Sequence, residues 1–406
     1  LCSNNEELFD KIKKIKISKI NDNIIENIFT KNAYIYNEKN TLHVSNPEHF
    51  SSYVSDDDPR IKKLPWKVYP VIPSDSKKEE KAQYNQNYNT AQFGSNRFNS
   101  VVLDFKPDIV GLTILMDQYA EAANMTTEII KNVSQNITTV LGGVYAMANP
   151  KRAMEDKNLD YVVIGEGEYV FRQLVGYHCK ACELPDRGIA FRKSNGELEN
   201  RGHSAFIKNL DILPKPAYHL IDFQAYAQTF SDRKSVDQPG AFPYARIITS
   251  RGCPEKCSFC QVPSLQGSYF RARTPDHVCD EIEWLKKEYG IKALIFDDDN
   301  MYTNPKRSKA LFKRMIERGL SMPWTSIATA VFRLDRELID LMVKSGCRYI
   351  DIAIESGTER VTRDIVLKPL DFKHAIETVA YARKAGLFVA ANFIIGFPTE
   401  TWEEIR

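Results

Sequence analysis

From Val101 onward the chain repeats one pattern, a short apolar run followed by a turn and an amphipathic helical stretch, and this rhythm limits the fold more than any other feature. Asp108 to Leu115 (DIVGLTIL) reads as a buried strand and Gln118 to Gln135 as a helix. Thr138 to Leu141 reads as a strand ending in Gly142 and Gly143, and Tyr161 to Ile164 as one running into Gly165, Glu166, Gly167 and Glu168. Apolar runs bounded by glycine and alternating with helices pair as parallel crossovers. The expected fold class is therefore α/β, beginning with a doubly wound, Rossmann-like domain whose ligands lie at the carboxyl ends of the strands. Glycines at those ends admit a bulky ligand or serve as plain strand-to-helix turns.

A second series starts after Tyr244. Strands are expected at Tyr244 to Ser250, Ala293 to Asp297, Trp324 to Ala330, Tyr349 to Glu355 and Phe388 to Ile395. Helices are expected at Asp276 to Tyr289, Pro305 to Arg318, Asp335 to Ser345 and Asp371 to Ala385. Such a succession suggests a barrel or part-barrel of the TIM type, with its chemistry at the carboxyl strand ends. Between the series, Gly188 to Leu198 reads as a hairpin turning near Asn195 and Gly196, and Leu213 to Pro216 stiffens a connection. The expected organisation is residues 1–100 as a poorly defined N-terminal region, 101–200 as the first α/β domain, 201–240 as a linker and 241–406 as a truncated barrel. Within the first hundred residues, Lys11 to Ile20 has an amphipathic basic pattern, and Ser74 to Asn99 is an Asn- and Gln-rich linker or insertion.

Lys and Arg number 55 against 53 Asp and Glu, so net charge makes no case for nucleic acid, a membrane surface or another polyanion. The longest apolar stretch, Leu387 to Phe397, is far shorter than the roughly 20 residues of a membrane span. The chain begins at Leu1 and stops at Arg406 inside a nascent helix, which reads as a fragment of a longer cytoplasmic protein. Eight cysteines are unevenly placed, three of them between Cys253 and Cys260, as suits a metal or catalytic cluster in a reducing compartment. Cys179 and Cys182 close a helix with no second ligand pair and read as incidental, as do Cys2, Cys279 and Cys347.

The run Arg251-Gly252-Cys253-Pro254-Glu255-Lys256-Cys257-Ser258-Phe259-Cys260 stands at the end of the first strand of the second series. Three thiolates in one loop can ligate three irons of a 4Fe-4S cluster and leave the fourth open to a small molecule. A zinc knuckle borrowing Cys279 or His277 is the competing reading, but zinc motifs usually pair cysteines as two C-x2-C units. The C-x3-C-x2-C run, in this position, resembles the radical S-adenosylmethionine (radical SAM) superfamily over about residues 244–400. The resemblance implies that SAM chelates the open iron and is cleaved reductively to methionine and a 5'-deoxyadenosyl radical. It also implies roles for three other strand ends. Asp298, Asp299 and Asn300 resemble the acidic segment that receives the SAM amino group, Glu355 and Ser356 the segment near its ribose and carboxylate, and Ile394 and Gly396 the segment that holds its adenine.

The first series resembles the cobalamin-binding domain that precedes the barrel in one branch of that superfamily, on the pattern Pro107 to Gly111, Gly142-Gly143 and Asp160 to Glu168. This implies a corrinoid over the strand ends near Thr113, Gly142, Gly143, Gly165, Glu166, Gly167 and Glu168. No D-x-H-x-x-G loop occurs, so no protein histidine is expected on cobalt from it. Tyr145 stands where a histidine is common, beside the corrin or in its place. The function implied is cobalamin-dependent methylation, or a related radical modification, of an unactivated centre in a small-molecule or peptide substrate, with an electron donor such as flavodoxin or ferredoxin. A methylthiotransferase would carry a second cluster, yet no cysteine occurs from Val101 to Tyr177. A non-catalytic sensor would not need all three SAM segments. No catalytic residue announces itself.

Overall fold

The computed structural model describes residues 24–27, 34–38, 102–221, 223 and 240–405. The expectations placed on Cys2, on Lys11 to Ile20 and on the stretch from Ser74 to Asn99 lie outside the described residues. The chain forms two compact units, and an antiparallel pair, β1 (Ile24–Asn27) and β2 (Tyr34–Glu38), falls in the first.

In the first unit, β3 (Ile109–Thr113), β4 (Thr138–Gly142) and β5 (Tyr161–Val163) run parallel in that order. Helix α1 (Ala120–Val133) buries Ala123 and Ile130 against one face of the sheet, together with Leu112, Leu141 and Val162. A short α2 (Val144–Ala148) packs Tyr145 and Ala146 into the same core. Helix α3 (Gly167–His178) covers the other face, where Val170 and Leu174 meet Val140, Val163 and Ile189. Burial on both faces explains why these strands read as apolar runs and not as alternating ones. The hairpin β6 (Ile189–Arg192) and β7 (Leu198–Asn200) extends the sheet antiparallel from β5, its turn closed by the Lys193 carbonyl accepting from the Gly196 amide.

The second unit holds five parallel strands in the order of the chain: β8 (Tyr244–Ile247), β11 (Ala293–Phe296), β12 (Trp324–Thr329), β13 (Cys347–Glu355) and β14 (Phe388–Phe393). Two small strands, β9 (Ser250–Arg251) and β10 (Arg271–Ala272), pair antiparallel and pinch the base of the cysteine loop. Between the parallel strands lie α4 (Pro275–Tyr289), α5 (Pro305–Glu317), α6 (Arg336–Ser345) and α7 (Phe372–Lys384). Each helix starts at a side-chain cap. Thr274, Asn304, Asp335 and Asp371 accept from the amides of His277, Arg307, Leu338 and His374, satisfying a donor the first helical turn leaves open. The core stacks Phe312 on Trp324 at 4.9 Å, with Phe296 edge-on at 5.1 Å, and the Trp324 indole donates to Ser345 Oγ at 3.0 Å.

Part of the stretch expected to be a linker packs with the second unit. Ile207–Pro216 clusters there, the Ile207 carbonyl accepting from Arg271 Nη1 at 2.9 Å and Asp211 from the Thr274 amide at 2.9 Å. Among the described residues no helix is long and apolar enough to cross a membrane.

Candidate active site at the strand ends

Strand order fixes which residues meet. In a parallel sheet every strand ends on the same edge, so the segments after β8, β11, β13 and β14 share one rim. The cysteine loop leaves that rim through Gly252, at φ 79, where a Cβ would press on the carbonyls of Tyr269 (2.5 Å) and Gly267 (2.9 Å). The Gly252 amide donates to Asp299 Oδ2 at 3.3 Å, and the Cys253 amide to the Gly267 carbonyl at 3.2 Å. Further along, the Ser258 amide donates to the Val366 carbonyl (2.9 Å) and its hydroxyl to that of Ile365 (2.7 Å). Glu255 pairs with Arg333 at 2.5 Å. The loop is thus tied at both ends while Cys253, Cys257 and Cys260 remain free, half-buried thiols.

The three thiols share one loop. Burial raises the Cys253 and Cys257 thiols, and each of the pair is raised further by the charge of Cys260, so the three groups stand within electrostatic reach. Among the described residues no three His, Cys, Asp or Glu side chains converge as ligands of one metal ion. An iron-sulfur cluster instead takes each cysteine on a different iron. Beside them Asn300, 5% exposed, sets its Nδ2 3.9 Å from Cys253 Sγ and leaves Oδ1 buried without a hydrogen-bond partner in the protein.

Asp298 departs from its expected role. Its carboxylate is buried and committed, accepting from the Thr249 amide (3.1 Å), the Thr249 hydroxyl (2.8 Å) and the Ser250 hydroxyl. It braces the end of β11 to the end of β8 and has no free face for a ligand. Asp299 is half-buried and receives the Gly252 amide and, at 3.4 Å, Gln266 Nε2; burial raises its carboxyl and the Gly252 amide opposes this.

Glu355 ends β13 at φ 72, a conformation that costs a non-glycine residue energy and persists where its surroundings enforce it. Its carboxylate meets Lys368, whose Nζ lies 2.9 Å from Glu355 Oε1 and 2.5 Å from the Ala353 carbonyl. Sequence reasoning missed Lys368, because a lone lysine 13 residues beyond its partner carries no periodic signal. Ser356 is buried, its hydroxyl 3.4 Å from that of Thr358. At the end of β14, the Ile394 amide donates to the Glu355 carbonyl at 2.8 Å. Within the segment expected to hold the adenine, the Gly396 amide donates to Glu400 Oε2 at 2.6 Å.

In the first unit an open cleft of about 470 Å³ lies across the ends of β3, β4 and β5. Thr113, Gly142, Gly143, Gly165, Gly167 and Glu168 line it, with Met147 and Phe171 as apolar walls that sequence reasoning did not select. Glu166 is off the lining, its carbonyl accepting from Ser204 Oγ at 3.2 Å. Tyr145 is also off it. The ring turns into the core beneath α2, 5% exposed, so it neither borders a ligand nor fills its place. Near-bare strand ends leave a broad surface for a flat ligand, and among the described residues no histidine lines it. Cys179 caps the end of α3 and Cys182 Sγ lies 3.4 Å from the Gln173 carbonyl, as incidental thiols would.

Comparisons with known proteins agree with this division. The radical SAM superfamily model matches residues 247–406 and the B12 binding domain model residues 80–175, the latter beginning inside the Asn- and Gln-rich stretch. An uncharacterized methyltransferase of Pyrococcus horikoshii is 32% identical over 75% of this chain and 64% of its own length. The cytidylyl-2-hydroxyethylphosphonate methyltransferase of Streptomyces wedmorensis is 32% identical over 73% of this chain and 59% of its own. The chain therefore spans about three fifths of the length of these relatives. Among solved structures, the radical S-adenosylmethionine methyltransferase TsrM of Kitasatospora setae, with cobalamin and a [4Fe-4S] cluster bound, shares the fold with a TM-score of 0.64 at 17% identity, covering 84% of this chain and 70% of that one. A three-cysteine loop on a parallel α/β sheet defines the class, the radical SAM proteins. Within it the chain belongs to the branch that carries a B12-binding domain ahead of the radical SAM domain.

Proposed function

We propose that the chain is the cofactor-binding part of a cobalamin-dependent radical SAM methyltransferase. The observation that carries this reading is the pairing, in one chain, of a free three-thiol loop beside an unpartnered Asn300 oxygen with a glycine-floored cleft at parallel strand ends. Cys253, Cys257 and Cys260 would hold the cluster, Asp299, Asn300, Glu355 and Ser356 would surround SAM, and Thr113 with the strand-end glycines and Glu168 would floor the corrinoid. When bound, these groups supply one-electron reduction of a sulfonium and a transferable methyl group.

The protein's part is positioning. Half-burial of the loop shelters its thiols in part, Gly252 lets the loop turn tightly over the strand ends, and the Glu355–Lys368 pair holds a fixed carboxylate at the rim. Holding a polar ligand by groups already in place avoids the cost of ordering them on binding. An external electron donor of the flavodoxin or ferredoxin type, a small-molecule or peptide substrate and a cytoplasmic setting belong to the same reading, the last supported by cysteines that are all free among the described residues.

The test is anaerobic reconstitution with iron, sulfide and hydroxocobalamin, gel filtration, and assay of retained corrinoid. After reduction in the presence of SAM, 5'-deoxyadenosine and S-adenosylhomocysteine are measured. Retained corrinoid with S-adenosylhomocysteine supports methyl transfer. Release of 5'-deoxyadenosine without any retained corrinoid would move the chain to a cobalamin-free radical chemistry.

A further inference from the structure

The segment after Glu355 returns to the cysteine loop. Residues Val361–Ile365 form a π-helical turn, a geometry enriched at functional sites, and its end receives both hydrogen bonds from Ser258, the residue that follows Cys257. Leu367, at φ 60, then reverses the chain. Lys368 follows, 8% exposed, its amide donating to the Thr362 carbonyl at 2.9 Å and its ammonium reaching Glu355 and the Ala353 carbonyl. One short segment therefore grips the thiol loop at one end and Glu355 at the other.

A buried ion pair is a poor way to gain stability, since two apolar side chains of similar volume would serve the fold as well or better. The same segment seats the loop: Ile365 and Val366, three and two residues before Lys368, accept both hydrogen bonds of Ser258, the neighbour of Cys257.

We propose that Lys368 is a positioning residue that couples the two halves of the site, fixing the Glu355 carboxylate and placing a positive charge in the segment that seats the loop of Cys257. The inference rests on the reading of the three cysteines as cluster ligands. Reduction adds negative charge to a cluster, so a nearby cation in a sheltered site favours the reduced form and its removal makes the midpoint potential more negative.

The experiment compares the full chain with Lys368→Arg, Lys368→Met and the double variant Lys368→Met/Glu355→Gln, all reconstituted anaerobically. Iron and sulfide per chain, the midpoint potential by electron-resonance redox titration, and SAM affinity by equilibrium dialysis are measured. Lys368→Met is expected to keep its iron, shift the potential negative and bind SAM about tenfold more weakly, and Lys368→Arg to restore both toward the wild type. The double variant removes the unpaired carboxylate that could unfold the single one, and its potential should also lie below the wild type. Full iron with wild-type potential in both Met variants and wild-type affinity in Lys368→Met, or no rescue by Arg, overturns the role of Lys368 and leaves the cluster intact. Absence of iron from the wild-type chain overturns the cluster reading and this inference together.

Discussion

Asp298 Oδ1 accepts a hydrogen bond from the Thr249 hydroxyl at 2.8 Å, joining the ends of two adjacent parallel strands just where the cysteine loop departs. Both residues are almost wholly buried, and Arg307 adds a second tie through Nη1 to Thr249 Oγ1 at 2.9 Å. An aspartate that sequence reasoning assigned to a ligand is thus part of the frame that holds the loop.

Replacing Asp298 with Ala should strand the Thr249 amide and the Thr249 and Ser250 hydroxyls, at about 1–3 kcal/mol for each unsatisfied group. A loss of roughly 3 kcal/mol or more in urea unfolding of the full chain is expected, from summing those costs conservatively. An unchanged unfolding midpoint would show that the brace carries no stability.

Glu404 clamps the rim segment after β14. Its carboxylate takes Arg360 Nε and Nη2, both at 2.6 Å, while Arg360 also donates to the Thr399 carbonyl. Hydrogen bonding to Arg360 leads the effects that hold the Glu404 carboxyl at about 2. A carboxyl depressed by folding contributes stability above its unfolded pKa of 4.5 and loses it as pH falls toward 2. Carbon-13 titration should show Glu404 still ionised at pH 3.5, and in Arg360→Gln its pKa should rise toward 4.5, the Thr401 amide still holding it below that value. Titration near 4.5 in the wild type would mean the clamp is open in solution.

Thiol reactivity should separate the two kinds of cysteine. Burial pushes the Cys279 thiol up to about 11, and Cys347 higher still, while the loop thiols are half-exposed. In cluster-free protein at pH 8, iodoacetamide followed by mass spectrometry should label the loop cysteines well before Cys279 or Cys347. Equal labelling rates would contradict the packing of α4 and β13.

Gly143 sits at φ 90, and a Cβ there would lie 2.6 Å from Thr113 Oγ1 and 2.8 Å from the Ile114 amide. Gly143→Ala should therefore cost on the order of 1–3 kcal/mol in the first unit and reduce retained hydroxocobalamin. Wild-type corrinoid retention together with wild-type stability would mean that this strand end neither crowds nor floors a ligand.

Strand and helix spans were legible because burial on both faces writes unbroken apolar runs, and because the caps at Thr274, Asn304, Asp335 and Asp371 are local signals. The three cysteines and the strand-end glycines were legible for the same reason: their spacing is short. The protein partners of Asp298, Tyr145 and Gly396 were not. Whether a carboxylate, a ring or an amide faces a ligand or its own neighbours depends on which partner arrives from a distant element. Thr249 lies 49 residues from Asp298, and no spacing rule reaches that far. Lys368 was hidden by the same distance from Glu355, and Met147 and Phe171 entered the cleft only once the helices were placed.

Central to the account is that Cys253, Cys257 and Cys260 together hold one 4Fe-4S cluster at the rim. The direct measurement is iron and sulfide per chain, with the visible and electron-resonance spectra, in the anaerobically reconstituted wild type and in the triple Cys→Ala variant. About four irons in the wild type and essentially none in the variant is the expected result. A triple variant that retains its full iron and spectrum would contradict it.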